Sequence, residues 1–203
     1  LTCAAGYTCA GTPGSRTCTP TQCNDGMDNN GDGTTDYPND PGCSSPSDDM
    51  EDTVCPGASC PVCSNGTDDD TDMKTDFPMD FGGNSAADTS EAFCALEVDA
   101  PTAITTKTIT GTTTGKSDDY TASCATSMAP EVTYVLQLPV PVTTLVINSS
   151  GFDTVLSVLD THCATTIACN DESPESDFGP SEITMNDVAP GNYAVQVDGW
   201  EDN

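Results

Sequence analysis

Asp28, Asn30, Asp32 and Asp36 stand at positions 1, 3, 5 and 9 of one short stretch, with Gly33 at position 6 and the Thr34 carbonyl at position 7. In a loop of this kind alternate side chains turn their oxygens inward, and the glycine allows the sharp reversal that brings the carbonyl round. Such an all-oxygen set suits calcium, which takes about six to eight oxygens at roughly 2.3–2.6 Å. Asp40 and Asp25 are candidates to complete the shell. Forty residues on, Asp68, Asp70, Asp72, Asp76 and Asp80 fall at matching places. There Met73 replaces Gly33, and Lys74 takes the place of Thr34 as the carbonyl donor. A methionine at position 6 is expected to strain the turn and to leave the second site weaker or distorted.

The elements that must hold these oxygens are an internal repeat. Residues 23–51 and 63–91 share twelve of twenty-nine positions, among them Cys23/Cys63, Gly26/Gly66, Pro38/Pro78, Gly42/Gly82, Asp48/Asp88 and Glu51/Glu91. Most shared positions are Asp, Gly or Pro, so the repeat preserves ligands and turns rather than an apolar core. The recurring pairs Asp48/Glu51 and Asp88/Glu91 fit two readings: ligands for a second ion, or simply a short helical turn or a solvated face. The region carries nine carboxylates between Asp25 and Asp52 with no Lys or Arg among them. Such a composition ordinarily means disorder. The fixed spacing of Asp, with Gly at the turn and Cys at the boundaries, argues instead for a loop whose folding is coupled to cation binding.

Asn39 stands where an EF-hand would place its bidentate glutamate, so no helix-loop-helix site is expected. The spacing of Asp28, Asn30, Asp32, Gly33 and Asp36 resembles thrombospondin type 3 calcium repeats. The longer string from Cys23 to Cys43 is similar to repeats of large bacterial secreted and surface proteins. That resemblance implies extracellular calcium-binding modules, strongest over residues 20–52 and looser in the second copy, where Gly83 replaces Cys43.

Composition agrees with such a setting. Thirty-three acidic residues against four basic ones give a net charge of −29 over 203 residues, which argues against nucleic acid and anionic membrane as partners and for cations. Twelve cysteines, with 35% hydrophobic and 5% aromatic residues, indicate an oxidising, extracellular compartment and a chain stiffened by disulfides. No apolar run is long enough to span a bilayer. Cys23 and Cys43 bracket the first loop and are expected to close it. Cys63, lacking that partner, is expected to reach Cys94, and Cys163 to pair with Cys169. The C-x2-C of Cys60 and Cys63 lacks the second half of a zinc site. Residues 1–22, with Cys3, Cys9 and Cys18, read as a small stapled cap, 23–62 and 63–100 as the two repeats.

From 101 to 203 Asp thins out and short alternating apolar runs arrive. They predict strands at 103–110, 131–138, 142–148, 153–159, 164–169, 181–187 and 192–198, and no long helix. Val132, Tyr134, Leu136 and Leu138 share one face, as do Tyr193, Val195 and Val197. Seven short strands with turn signals between them indicate a β-sandwich. The expected fold class is mainly β, irregular disulfide-rich calcium repeats followed by a sandwich. The stretches 152–172 and 189–199 resemble bacterial pre-peptidase C-terminal domains. This implies a jelly-roll-like, non-catalytic sandwich appended to secreted proteins, with Asp153, Asn170, Asp171 and Asp198 as turn-makers first and ligands second. Such domains continue into one more strand. If the chain ends at Asn203, an edge is left open to strand donation by a neighbour, hence to a homo-oligomer or filament.

The sequence offers little for catalysis. His162 is the single histidine, no nucleophile motif or phosphate-cradling loop occurs, and Arg16, Lys74, Lys107 and Lys116 are scattered. The expected function is therefore an extracellular, calcium-rigidified structural or adhesive protein. The alternative is a non-catalytic accessory region of a larger secreted hydrolase. Asn65-Gly66-Thr67, Asn148-Ser149-Ser150 and the Thr-rich stretch 102–114 are candidate glycan acceptors.

Overall fold

Without enough aliphatic residues for a conventional core, the amino-terminal half must fold on turns, disulfides and side-chain-to-backbone hydrogen bonds. The computed structural model describes residues 3–12, 15–57, 59–94, 102–125, 128–172 and 179–200. It divides into two units, Leu1–Glu91 and Ala92–Asn203. In the second unit Cys94 is joined to Cys163, and its amide donates to the Thr161 carbonyl at 2.8 Å.

In the first unit a hairpin of β1 (Tyr7–Ala10) and β2 (Thr17–Pro20) forms the cap, with Cys9 opposite Cys18 and Cys3 against both sulfurs. Thr21 ties the cap to the first repeat, its hydroxyl donating to the Pro46 carbonyl at 2.6 Å, while Gly6 N–H donates to Ser47 Oγ at 3.0 Å. Each repeat then opens on a single 3-10 turn at the same place, Gln22–Asn24 and Val62–Ser64. The backbone bonding recurs too. Cys23 and Cys63 donate to the Asp48 and Asp88 carbonyls at 3.3 and 3.1 Å, and Tyr37 and Phe77 donate to the Cys23 and Cys63 carbonyls at 3.2 and 3.0 Å. Besides Thr21, Ser85 and Ala86, the buried side chains include the sulfurs of Cys23, Cys43 and Cys63 and the carboxylates of Asp40, Glu51, Asp80 and Glu91, while Met27, Met50, Met73 and Met79 face solvent.

The cysteines depart from two expected pairings. Cys23 is joined to Cys43, with Cα atoms 5.6 Å apart, and Cys55 to Cys60. Cys63 is not joined to Cys94 but is a buried thiol, and Cys163 is not joined to Cys169, which pairs instead with Cys124. The β-turn that starts at Asp160 carries Cys163 to the sheet face where Cys94 lies, whereas Cys169 sits within a strand opposite Ser157. Gly83, the counterpart of Cys43, lies directly against the Cys63 sulfur. Gly83→Cys is therefore expected to complete a second staple. Closing a loop of about 20 residues should raise stability by about 3 kcal/mol under oxidising conditions, and the gain should vanish on reduction. Denaturant unfolding with and without reductant checks this.

The second unit is a sandwich. One sheet runs in the order β3 (Thr102–Ala103), β4 (Val132–Leu138), β9 (Gly191–Gly199), β6 (Thr154–Leu159), β7 (Thr166–Asn170); the other pairs β5 (Val142–Asn148) with β8 (Glu182–Val188). All pairings are antiparallel except β3 with β4. Tyr134, Leu156, Val158 and Val195 of the larger sheet meet Ile183 of the smaller, with Val132, Leu136, Ile147, Met185, Tyr193 and Val197 around them. The period-2 alternation dictates this packing, since it puts one apolar face of each strand inward. β6 is buried along its whole length because Leu159 on its other face packs with Ala194, Cys94, Phe93 and Tyr120. The strand expected at 103–110 shrinks to Thr102–Ala103. Ile104 still packs against the core and donates its amide to the Val135 carbonyl, but 105–110 is Thr-rich and exposed, so its high β-propensity has no apolar face to bury. The described residues contain no α-helix, and none of their helices is long and apolar enough to cross a membrane.

Candidate metal centre

The acidic loops are built from short side-chain-to-backbone turns, the local bonding that Asp and Asn prefer over regular structure. In the first loop Asp28 Oδ1 accepts from Gly31 N–H at 2.6 Å and Oδ2 from Gly33 N–H at 3.0 Å. Asn30 Oδ1 accepts from Asp32 N–H at 2.9 Å, and its amide donates to the Thr53 carbonyl at 3.1 Å. Asp32 Oδ1 accepts from Thr34 N–H at 2.8 Å and from the Thr34 hydroxyl at 2.5 Å, and that hydroxyl also reaches Asp40 Oδ2 at 3.3 Å. The second loop repeats the pattern. Asp68 accepts from Thr71 and Met73 N–H at 2.7 and 3.1 Å, Asp70 from Asp72 N–H at 3.0 Å, and Asp72 from Lys74 N–H at 2.8 Å. Oxygens of Asp68, Asp70 and Asp72 all lie within 4.8 Å of one another.

The left-handed conformations of the first loop, Gly31 at φ 79° and Gly33 at φ 97°, are kept in the second by Thr71 at φ 69° and Met73 at φ 72°. A β-branched and a bulky residue are thus held where glycine belongs, at a cost of order 1–2 kcal/mol each. The expected strain at Met73 is present, and Thr71 adds to it.

Asp36 and Asp76, like Asp28 and Asp68, give both carboxylate oxygens to backbone amides, but to amides upstream, at the start of the loop. Asp36 Oδ1 and Oδ2 accept from Asp25 and Gly26 N–H at 3.1 and 2.8 Å, and Asp76 takes Gly66 N–H in the same way at 2.9 Å. Both oxygens of each side chain clamp the start of the loop. Asp25 Oδ1 likewise accepts from Met27 N–H at 2.9 Å.

Sequence reasoning missed the part played by Glu51 and Glu91. Glu51 Oε1 accepts from Asp36 N–H at 3.0 Å and Oε2 from Asn29 N–H at 2.7 Å; Glu91 does the same with Asp76 and Asp69 at 2.9 and 2.8 Å. The two glutamates are 3% and 1% exposed. Residues 48–51 and 88–91 form no helical turn. Each glutamate is a buried brace that joins both ends of its loop. The one available signal was the recurrence of Glu at a fixed offset, which does not reveal that its partners are backbone amides 15 and 22 residues upstream.

Asp40 and Asp80 sit at the floor, 0% and 1% exposed, and each takes one amide, from Gly42 at 2.6 Å and Gly82 at 2.7 Å. Gly82 has to be glycine, because a Cβ there would overlap the Glu91 carbonyl. Asp80 Oδ2 and Asp32 Oδ2 are buried with no hydrogen-bond partner. The loss at Asp80 traces to one substitution, since Lys74 stands where Thr34 supplies its hydroxyl to Asp40. Burial pushes the Asp40 carboxyl up, aided by the charges of Asp32 and Glu51, and it pushes Asp70 up beside Asp72 and Asp68. Burial raises Asp80 furthest, to about 6, with Asp72, Asp70 and Glu91 adding to it. Burial also works against the Asp32 charge, but hydrogen bonds from the Thr34 hydroxyl and amide and from Asn30 outweigh it and leave that carboxyl below its ordinary value.

A raised folded-state value for Asp80 means that the folded chain holds more protons than the unfolded one between about pH 4 and 6. Its contribution is therefore fully present below about pH 4 and lost as pH rises through 6. Without divalent cations the first unit should melt higher near pH 5 than near pH 7.5, a difference that Asp80→Asn should reduce. Thermal scans at the two pH values check this.

In the second unit Asn170 acts as a turn-maker, its amide donating to the Glu172 and Glu182 carbonyls at 2.7 Å each. Asp153 Oδ1 accepts from Gly179 N–H at 3.0 Å, and burial together with the Asp153 charge raises Asp171. Asp198 is buried.

No family model, no curated protein and no solved structure matches this chain.

Proposed function

We propose that this chain is an extracellular, non-catalytic structural protein whose first unit is rigidified by two calcium ions, one in each acidic loop. The observation that carries the reading is the Asp80 carboxylate, 1% exposed, with one oxygen unpartnered beside Asp70 and Asp72. A buried charge of this kind is costly unless something positive meets it. The donors nearby are all hard oxygens, the chemistry calcium prefers, and an irregular loop of many carboxylates suits calcium better than the smaller, octahedral magnesium ion. Asn30, Asp32 and Asp40, with Asp28, would hold the ion in the first loop, and Asp70, Asp72 and Asp80, with Asp68, in the second. Asp36, Asp76, Glu51 and Glu91 shape the loops from behind. The bound ion supplies countercharge and cross-linking.

The disulfides and the lack of a membrane-spanning helix among the described residues are compatible with an extracellular protein. Self-association into a surface filament is part of the same reading. It is supported by β5 and β8, which pair with each other and have no further sheet neighbour among the described residues, leaving edges that another strand can extend.

Calcium titration by calorimetry with parallel light scattering tests the proposal. Two ions per chain are expected, falling to one in Asp32→Ala, with scattering that rises in calcium and disperses in chelator. Absence of binding heat in the parent chain, or an unchanged titration in Asp32→Ala, would overturn the site assignment. A monomer in both conditions would remove the filament.

A further inference from the structure

We propose that Lys74 is a tethered cation that competes with calcium for the second loop and so makes it the weaker of the two sites. This rests on the calcium reading of that loop and adds a determinant of its affinity. Lys74 Nζ lies 3.3 Å from Asp72 Oδ2 and 4.2 Å from the centroid of the Phe81 ring. In the first loop the corresponding residues are Thr34 and Pro41, so neither the ammonium nor the ring that seats it has a counterpart.

Two consequences follow from that exchange. The second loop loses the hydroxyl that serves Asp40 in the first, which leaves Asp80 Oδ2 bare and buried. It gains a positive charge on Asp72, a neighbour of Asp80, inside the cluster that the ion would enter. An incoming divalent cation must displace the ammonium from Asp72, because like charges repel at this range. The Lys74 side chain is 38% exposed and flexible, and Phe81 gives the released ammonium a place to rest. The lysine thus offsets part of the carboxylate repulsion when calcium is scarce and yields when calcium is plentiful.

The test is calcium calorimetry on the full chain in an Asp32→Ala background, which isolates the second loop. Lys74→Met removes the charge while keeping a long side chain over Phe81, Lys74→Gln is a second uncharged variant, and Lys74→Arg keeps the charge. Both uncharged variants are expected to bind calcium about fivefold tighter, the equivalent of giving up no exposed ion pair, and Lys74→Arg to stay within about twofold of the parent. Equal or weaker binding in the uncharged variants, with the parent loop still binding, would overturn the role of Lys74 alone. No binding by the second loop in either the parent or the uncharged variants would overturn the calcium reading of that loop, and this inference with it.

Discussion

Glu51→Ala and Glu91→Ala are each expected to destabilise the first unit by about 4 kcal/mol, the largest effect of any single side chain there. Each substitution removes two charge-assisted hydrogen bonds, worth roughly 1.5–3 kcal/mol apiece, and leaves two amides without acceptors. The bonds are short, 2.7 and 3.0 Å for Glu51 and 2.8 and 2.9 Å for Glu91, and both carboxylates are buried. Glutamine at either position keeps one acceptor oxygen but turns a second donor towards a backbone donor, so about 2 kcal/mol should be lost instead. Asp49→Ala, at an exposed position in the same stretch, is the control and should change nothing measurable. Denaturant unfolding followed by the signal of Tyr37, half-buried in the first unit, reads these differences. An unfolding midpoint in Glu51→Ala equal to the parent's would contradict the brace.

Removing divalent cations should produce the second large effect, and it should fall on one unit alone. At calcium concentrations about a hundredfold above the dissociation constant each ion stabilises by about 2.7 kcal/mol, so two ions contribute about 5 kcal/mol. For a unit of this size that corresponds to roughly 20 °C or more in melting temperature. The sandwich has an aliphatic core built on Leu156, Val158, Val195 and Ile183, with its own disulfides, Cys94–Cys163 and Cys124–Cys169. Its transition should therefore stay in place. Scanning calorimetry with calcium and with EDTA should show one transition moving past a fixed one. Two transitions that move together, or neither moving, would contradict the assignment of the ions to the acidic loops.

The strands of the second unit were legible because alternation is a direct image of a half-buried sheet. Val132, Tyr134 and Leu136, and Tyr193, Val195 and Val197, line the core as their spacing requires. The run from 103 to 110 misled because threonine favours extended backbone whether or not a neighbour strand exists, and Thr102 and Ala103 are the part that finds one. Disulfide partners were not legible beyond a local bracket. The turn at Cys163 and the strand position of Cys169 decide where each sulfur points, and neither is a property of spacing.

Within the acidic loops the repeat itself could be read directly, since identity at a fixed offset needs no structure. The roles inside it could not. Position 9 of each loop, Asp36 and Asp76, suggests a ligand by spacing, yet a left-handed backbone at φ 57° and 56° turns both carboxylates onto amides at the loop's start. The glutamate braces depend on amides distant in sequence, and the burial of Asp40 and Asp80 depends on how Gly42 and Gly82 let the chain pass close behind them.

Amide hydrogen exchange across the two loops, in calcium and after exhaustive chelation, tests most directly whether a cation holds the first unit in shape. Protection is predicted at Gly31, Asp32, Gly33, Thr71, Asp72 and Met73 when calcium is present, with exchange faster by orders of magnitude in EDTA and no change in β4, β6 and β9. Equal protection of those six amides in both solutions would contradict the account.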